Sequence, residues 1–256
     1  MRKVYFLIIF CTFLALCLTS CIDVEERYDF KADGSCNVAY NFDMSHAVAV
    51  LMNLMPDSIK STPQFNMRKD TSINFYTALP DSAQQKLSQQ EIDLAKKSTL
   101  NVNMNLQKNI MKVSIDHQAK NPTELQYYLQ NLTKLTRNSQ LKTVTQTTKN
   151  IKELDAGQLI GGEDFYIYEV TSHRFCRIID RSKFNAFLKR TQSTLAMAKA
   201  LLIDAPYKVV LNFAHPVKKV NNPKAIVSAD RKHVTLVTNI DEMIKNPSVT
   251  NLQVDY

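Results

Sequence analysis

Glycine and tryptophan are what this 256-residue chain has least of: four glycines, Gly34, Gly157, Gly161 and Gly162, and no tryptophan. Loops that wrap phosphate need glycine where backbone NH groups approach the anion, and neither a GxGxxG nor a P-loop pattern is present. Lack of tryptophan removes one large amphipathic stacking surface for sugars. The five histidines, His46, His117, His173, His215 and His233, stand apart, none in an HExxH or Cys/His ligand spacing, so no metal site is expected. There is no GxSxG elbow, and Asp29, Asp33 and Asp43 fall where turns and caps are expected, not as an acid/base pair. The expectation from these absences is a protein with no cofactor, no metal and no enzymatic role. A long hydrophobic run is missing too: beyond residue 20 no apolar stretch reaches the roughly 18–20 residues of a spanning helix.

The N-terminus carries a clear pattern. Arg2 and Lys3 precede an apolar run over residues 4–18, the proportions of a signal-peptide h-region. Leu18-Thr19-Ser20-Cys21 then resembles the lipobox of bacterial lipoproteins, in which the cysteine thiol receives a diacylglycerol and becomes the new N-terminus. That resemblance implies a signal over residues 1–20, lipidation at Cys21 and attachment to the membrane through acyl chains. Two or three chains hold a protein stably where one binds reversibly. Residence in the outer membrane, facing the periplasm or the cell surface, is the implied location.

Charge is uneven along the remainder. Residues 171–256 hold 14 Lys/Arg against 6 Asp/Glu, whereas residues 21–170 hold 16 against 18. The basic half is expected to meet an anionic surface, with Lys218, Lys219, Lys224, Arg231 and Lys232 near strand ends and turns where they can cluster. Anionic lipid, lipopolysaccharide or an envelope protein are the candidate partners. Nucleic acid is not, since no basic–aromatic module is visible. Cys36 and Cys176 remain as a pair in an oxidising compartment: either a disulfide or two buried thiols.

Periodicity predicts a hairpin over residues 24–31 and 36–42 about an Asp33-Gly34 turn, then a helix at 47–55 capped by Asp43 or Ser45. Residues 56–81 read as a polar exposed loop with a strand at 73–78. Ser88 to Glu91 is a capping-box pattern for a helix to about residue 97. Strands at 99–106 and 109–116 precede a helix opened by Asn121-Pro122, with Leu125, Tyr128, Leu129, Leu132 and Leu135 as its apolar stripe. Residues 138–163 mark a boundary between lobes 21–150 and 151–256, which can equally form one continuous domain. After it come strands at 165–171 and 174–179, a helix at 182–203, strands at 207–213, 224–228 and 233–238, a short helix at 241–245 and a strand at 249–254. Three strand–strand–helix units, from Val24, Thr99 and Phe165, predict an α+β fold: antiparallel sheet with helices packed on one face. Tyr127, Tyr128, Tyr166 and Tyr168 are expected in or near the core.

Four further resemblances bear on function. Asp23, Glu25 and Glu26 resemble, in part, the acidic export signal that follows the cysteine of some surface lipoproteins. Asp57-Ser58-Ile59 and Asp81-Ser82-Ala83 resemble a bacterial O-glycosylation sequon, marking Ser58 and Ser82. The lipobox, the Asp33-Gly34-Ser35 hairpin and Asp43-Met44-Ser45 are similar to the start of uncharacterised Gram-negative lipoproteins. Phe213-Ala214-His215-Pro216-Val217 is faintly similar to the LppM-type lipoprotein domain. These resemblances imply a membrane-anchored binding or scaffold module. The alternative is an envelope hydrolase whose site would show as converging His, Asp and Ser side chains.

Overall fold

The computed structural model describes residues 22–66, 68–136, 165–200 and 206–256, and the fold is α+β. Lipidation at Cys21 and the boundary at 138–163 lie outside the described residues. The predicted hairpin is there: β1 (Asp23–Phe30) and β2 (Cys36–Asp43) pair antiparallel through their whole length. Its turn is built by Asp33, whose carboxylate accepts from the Ser35 NH and hydroxyl, and by Gly34 at φ +82°, where a side chain would be strained.

Helix α1 (Ser45–Leu54) follows, then α2 (Asp57–Lys60), a 3-10 turn (Pro63–Asn66), β3 (Arg68–Asn74), α3 (Asp81–Gln84), α4 (Gln89–Lys96), β4 (Ser98–Asn105), β5 (Ile110–Ala119) and α5 (Pro122–Thr136). Next come β6 (Tyr166–Val170), β7 (Arg174–Ile179), α6 (Arg181–Ala200), β8 (Pro206–Phe213), β9 (Lys219–Val220), β10 (Ile226–Val227), β11 (His233–Asn239), α7 (Ile240–Lys245) and β12 (Leu252–Asp255). The stretch read as loop with a strand at 73–78 is instead folded into short helices and an earlier strand. Asn74 is the reason: its side-chain oxygen accepts from the Tyr76 and Thr77 NH groups while its amide donates to Lys96 O and Ser98 O, which ends β3 in a turn.

Eight strands form one sheet in the order β10-β11-β8-β1-β2-β5-β4-β3; four form another, β6-β7-β12-β9. All neighbours are antiparallel except β1 and β8, which run parallel. Strands from before and after residue 150 therefore share the large sheet. Alternation puts Tyr28, Phe30, Val38, Tyr40, Ile115, Val209, Leu211 and Leu236 on its inner face, in one core with Phe175 and Val254 of the small sheet. Phe175 packs 5.1 Å from Tyr28 and 5.9 Å from Phe30, ring centre to ring centre. Beside the small sheet, α5 buries Leu125, Tyr128, Leu129 and Leu132, the predicted stripe as far as it is described.

Candidate functional site

Two clusters of reactive side chains are sealed inside. Glu26 and Arg177 are fully buried on facing strands β1 and β7, with Arg177 Nη1 donating to Glu26 Oε2 at 2.7 Å and to Tyr207 Oη at 3.0 Å. Tyr28 Oη donates to the same carboxylate oxygen at 2.8 Å, and the guanidinium lies 4.1 Å from the Tyr166 ring centre. Burial works against the charge of Arg177, but Glu26 and the surrounding tyrosines outweigh it and hold the group protonated. Strand alternation thus splits the acidic trio: Glu25 points outward to Arg27 and Lys208, while Glu26 is a core residue.

The second cluster is Ser98 and His117. Ser98 Oγ donates to Leu94 O at 2.7 Å and lies 2.9 Å from His117 Nδ1, so the imidazole is the donor in that contact. Its ring stacks on Tyr128 at 3.8 Å. Burial lowers its pKa to about 3, keeping it neutral. A nucleophile–base pair would need the serine proton directed at the histidine; here it points away, and both groups are buried.

Cys36 and Cys176 are both free and buried, so the disulfide alternative is corrected in favour of two thiols. Alternation explains why. Cys36 shares the inner face of the large sheet with Val38 and Tyr40, whereas Cys176 lies between inward-facing Phe175 and Arg177 and therefore points to the outer side of the small sheet. Burial pushes the Cys36 thiol well up, leaving it unreactive.

The open surfaces are different. On the outer face of the large sheet, Asp70, Ser72, Asn101, Asn103, Lys112 and Ser114 line a shallow polar groove. Ser58 and Ser82 are exposed, each the second residue of a short helix that starts after a proline. Among the described residues no group of three His, Cys, Asp or Glu is placed to hold a metal ion.

Four basic residues of the C-terminal half gather at one end of the large sheet. Beyond β8, the Phe213 NH donates to Lys232 O and the Val217 NH to Arg231 O, each at 2.8 Å, while the Lys218 NH donates to Asp255 O. Asp230 shapes the adjoining turn by accepting from the Ser228 hydroxyl and the Lys232 NH, bonds that hold its carboxyl below the usual range. Arg231 is left-handed, φ +56°, and its guanidinium donates to Val217 O and Lys218 O. These links bring Lys218, Lys219, Arg231 and Lys232 together. Lys224 is not among them: its ammonium is paired with both oxygens of Glu242. Lys31, which follows β1, and Lys120, which follows β5, belong to the same end by strand register, a grouping that sequence order hides. Comparison with family models, curated proteins and solved structures finds no match to this chain.

Proposed function

We propose that this protein is a lipid-anchored envelope lipoprotein whose domain acts as a non-enzymatic binding module, presenting its basic end to an anionic surface. The observation that carries the reading is a separation. Cys21 lies two residues before β1, whereas the basic cluster sits beyond the other end of that strand, where the Ala214 NH bonds to Phe30 O. An eight-residue strand spans about 25 Å at roughly 3.3 Å per residue. Charge is screened over about 8 Å at physiological ionic strength. A domain standing on its anchor therefore offers Lys218, Lys219 and Lys232 to a surface other than the membrane that holds it, anionic lipid or lipopolysaccharide across the compartment.

Two measurements test this. Cys21→Ala should abolish acyl labelling and release the protein from the membrane fraction. The unlipidated domain should bind anionic vesicles at low salt and lose them as salt rises. Replacing Lys218, Lys219 and Lys232 with Gln should weaken that binding by about a hundredfold, taking on the order of 1 kcal/mol per basic group. Arg231 is left in place because its guanidinium supports the turn. A soluble domain that ignores anionic vesicles at low salt would refute the reading.

A further inference from the structure

Helix α1 is apolar nearly all round, yet little of it is inside. Between Ser45 and Leu54 there is no charged residue, and only Val48 is buried. Leu51 is 44 % exposed and Leu54 66 %, and Ile59 on α2 is 43 % exposed. A surface helix that turns an uncharged apolar face to water is unusual unless something covers it.

Strand register says where this face lies. Asp23, the first residue of β1, pairs with Asp43, the last of β2, and α1 starts two residues later. The Met44 NH donates to Met111 O, and Ser45 Oγ accepts from the Met111 NH, which ties the start of α1 to β5 at that same end. Helix α7 leaves β11 there too, since Asn239 pairs with Pro206 at the start of β8, and Ile244 on α7 is 43 % exposed. Cys21 is two residues from Asp23, a reach of at most about 7 Å. The exposed apolar side chains and the acyl chains implied for Cys21 therefore occupy one end of the molecule.

We infer that α1 rests in the lipid interface beside the anchor, with Leu51, Leu54 and Ile59 dipping into the acyl boundary and the large sheet held upright above it. The inference rests on the lipoprotein reading of Cys21. The driving force is transfer of exposed apolar side chains from water into the headgroup–acyl boundary; α1 supplies apolar surface and no charged residue that would oppose it. What it adds is orientation: a lipid on a flexible tether leaves a domain free to tumble, and a second contact does not. A glycan on Ser58, one residue from Ile59, would hold this end out of lipid, so glycosylation there and insertion of α1 exclude each other.

The absence of tryptophan supplies the test. Leu54→Trp gives the full-length, membrane-reconstituted protein a single tryptophan, with Ile167→Trp on the small sheet as the reference position. The mass of the N-terminal peptide reports acylation of Cys21 separately. Expected are a blue-shifted Leu54→Trp emission that loses most of its intensity in vesicles of brominated phosphatidylcholine, and an Ile167→Trp emission that does neither. An acylated protein whose Leu54→Trp emission is unquenched overturns the inference and leaves the lipoprotein reading standing. A blue shift without quenching, growing with protein concentration, marks a second copy of the chain on α1 and also overturns it. Equal quenching at both positions means a domain lying flat, and a hexose mass on the Ser58 peptide means a solvated α1; either result refutes the proposal. An unacylated Cys21 removes the anchored reading itself.

Discussion

Arg177 shows how one residue can hold two sheets in register while contributing little net stability. Its ion pair with Glu26 joins side chains 151 residues apart, but Glu26 Oε1 and Arg177 Nε have no hydrogen-bond partner, so the desolvation of the pair is only partly offset. Removing one partner strands a buried charge. Arg177→Met or Glu26→Leu alone should cost about 3–5 kcal/mol in urea unfolding, and the double replacement should cost less than either. His117 carries the pH dependence. Unfolded, its imidazole titrates near 6.5; folded, at about 3, because burial disfavours the cation. With a depressed folded value, its contribution is complete above pH 6.5 and erodes as pH falls toward 3. At roughly 1.36 kcal/mol per unit, the protein should lose about 2 kcal/mol between pH 7 and pH 5 through this group. His117→Gln should lose correspondingly less when the same two urea titrations are compared.

Elements whose signals are local match the sequence expectation closely. Ser88 accepts from the Glu91 NH while the Glu91 carboxylate accepts from the Ser88 NH, the predicted capping box, and α4 runs from the next residue. Ser88→Ala should lower stability by about 1 kcal/mol, read as a shift in thermal midpoint without a change in fold. Asn121 likewise accepts from the Glu124 NH at the start of α5, as its Asn-Pro pattern implies. The three strand–strand–helix units are legible for the same reason: turn, cap and periodicity all act within a dozen residues. The parallel pairing of β1 with β8 and the location of β3 are not legible, because one depends on strands nearly the whole chain apart and the other on a single asparagine binding across to α4 and β4. Glu26 did leave a signal: it shares strand parity with Tyr28 and Phe30, and Arg177 shares it with Phe175 and Ile179. A charge at an inward position on each of two strands is the pattern a buried pair writes. The basic end was half legible. Its residues stand out by charge, but Lys224 leaves the group through Glu242, and Lys31 and Lys120 join it only once strands are ordered.

At the scale of the whole molecule the chain is polar in the directional sense, with the uncharged apolar helix α1 where β1 begins and a cluster of cations where it ends. That arrangement suits the proposed role, in which one end would face lipid and the other a charged partner. Order of synthesis is the other consequence of β1 lying between β2 and β8. The first strand to leave the ribosome finds one neighbour within a few residues but must wait for the other: Asp29 is bonded to Asn212, 183 residues later. Until then β1 exposes a free edge, the feature that recruits strands from other chains. A fold closed by so distant a contact is expected to assemble slowly and late. Loss of the C-terminal fifty residues would leave β1 open permanently, turning it into a template for aggregation.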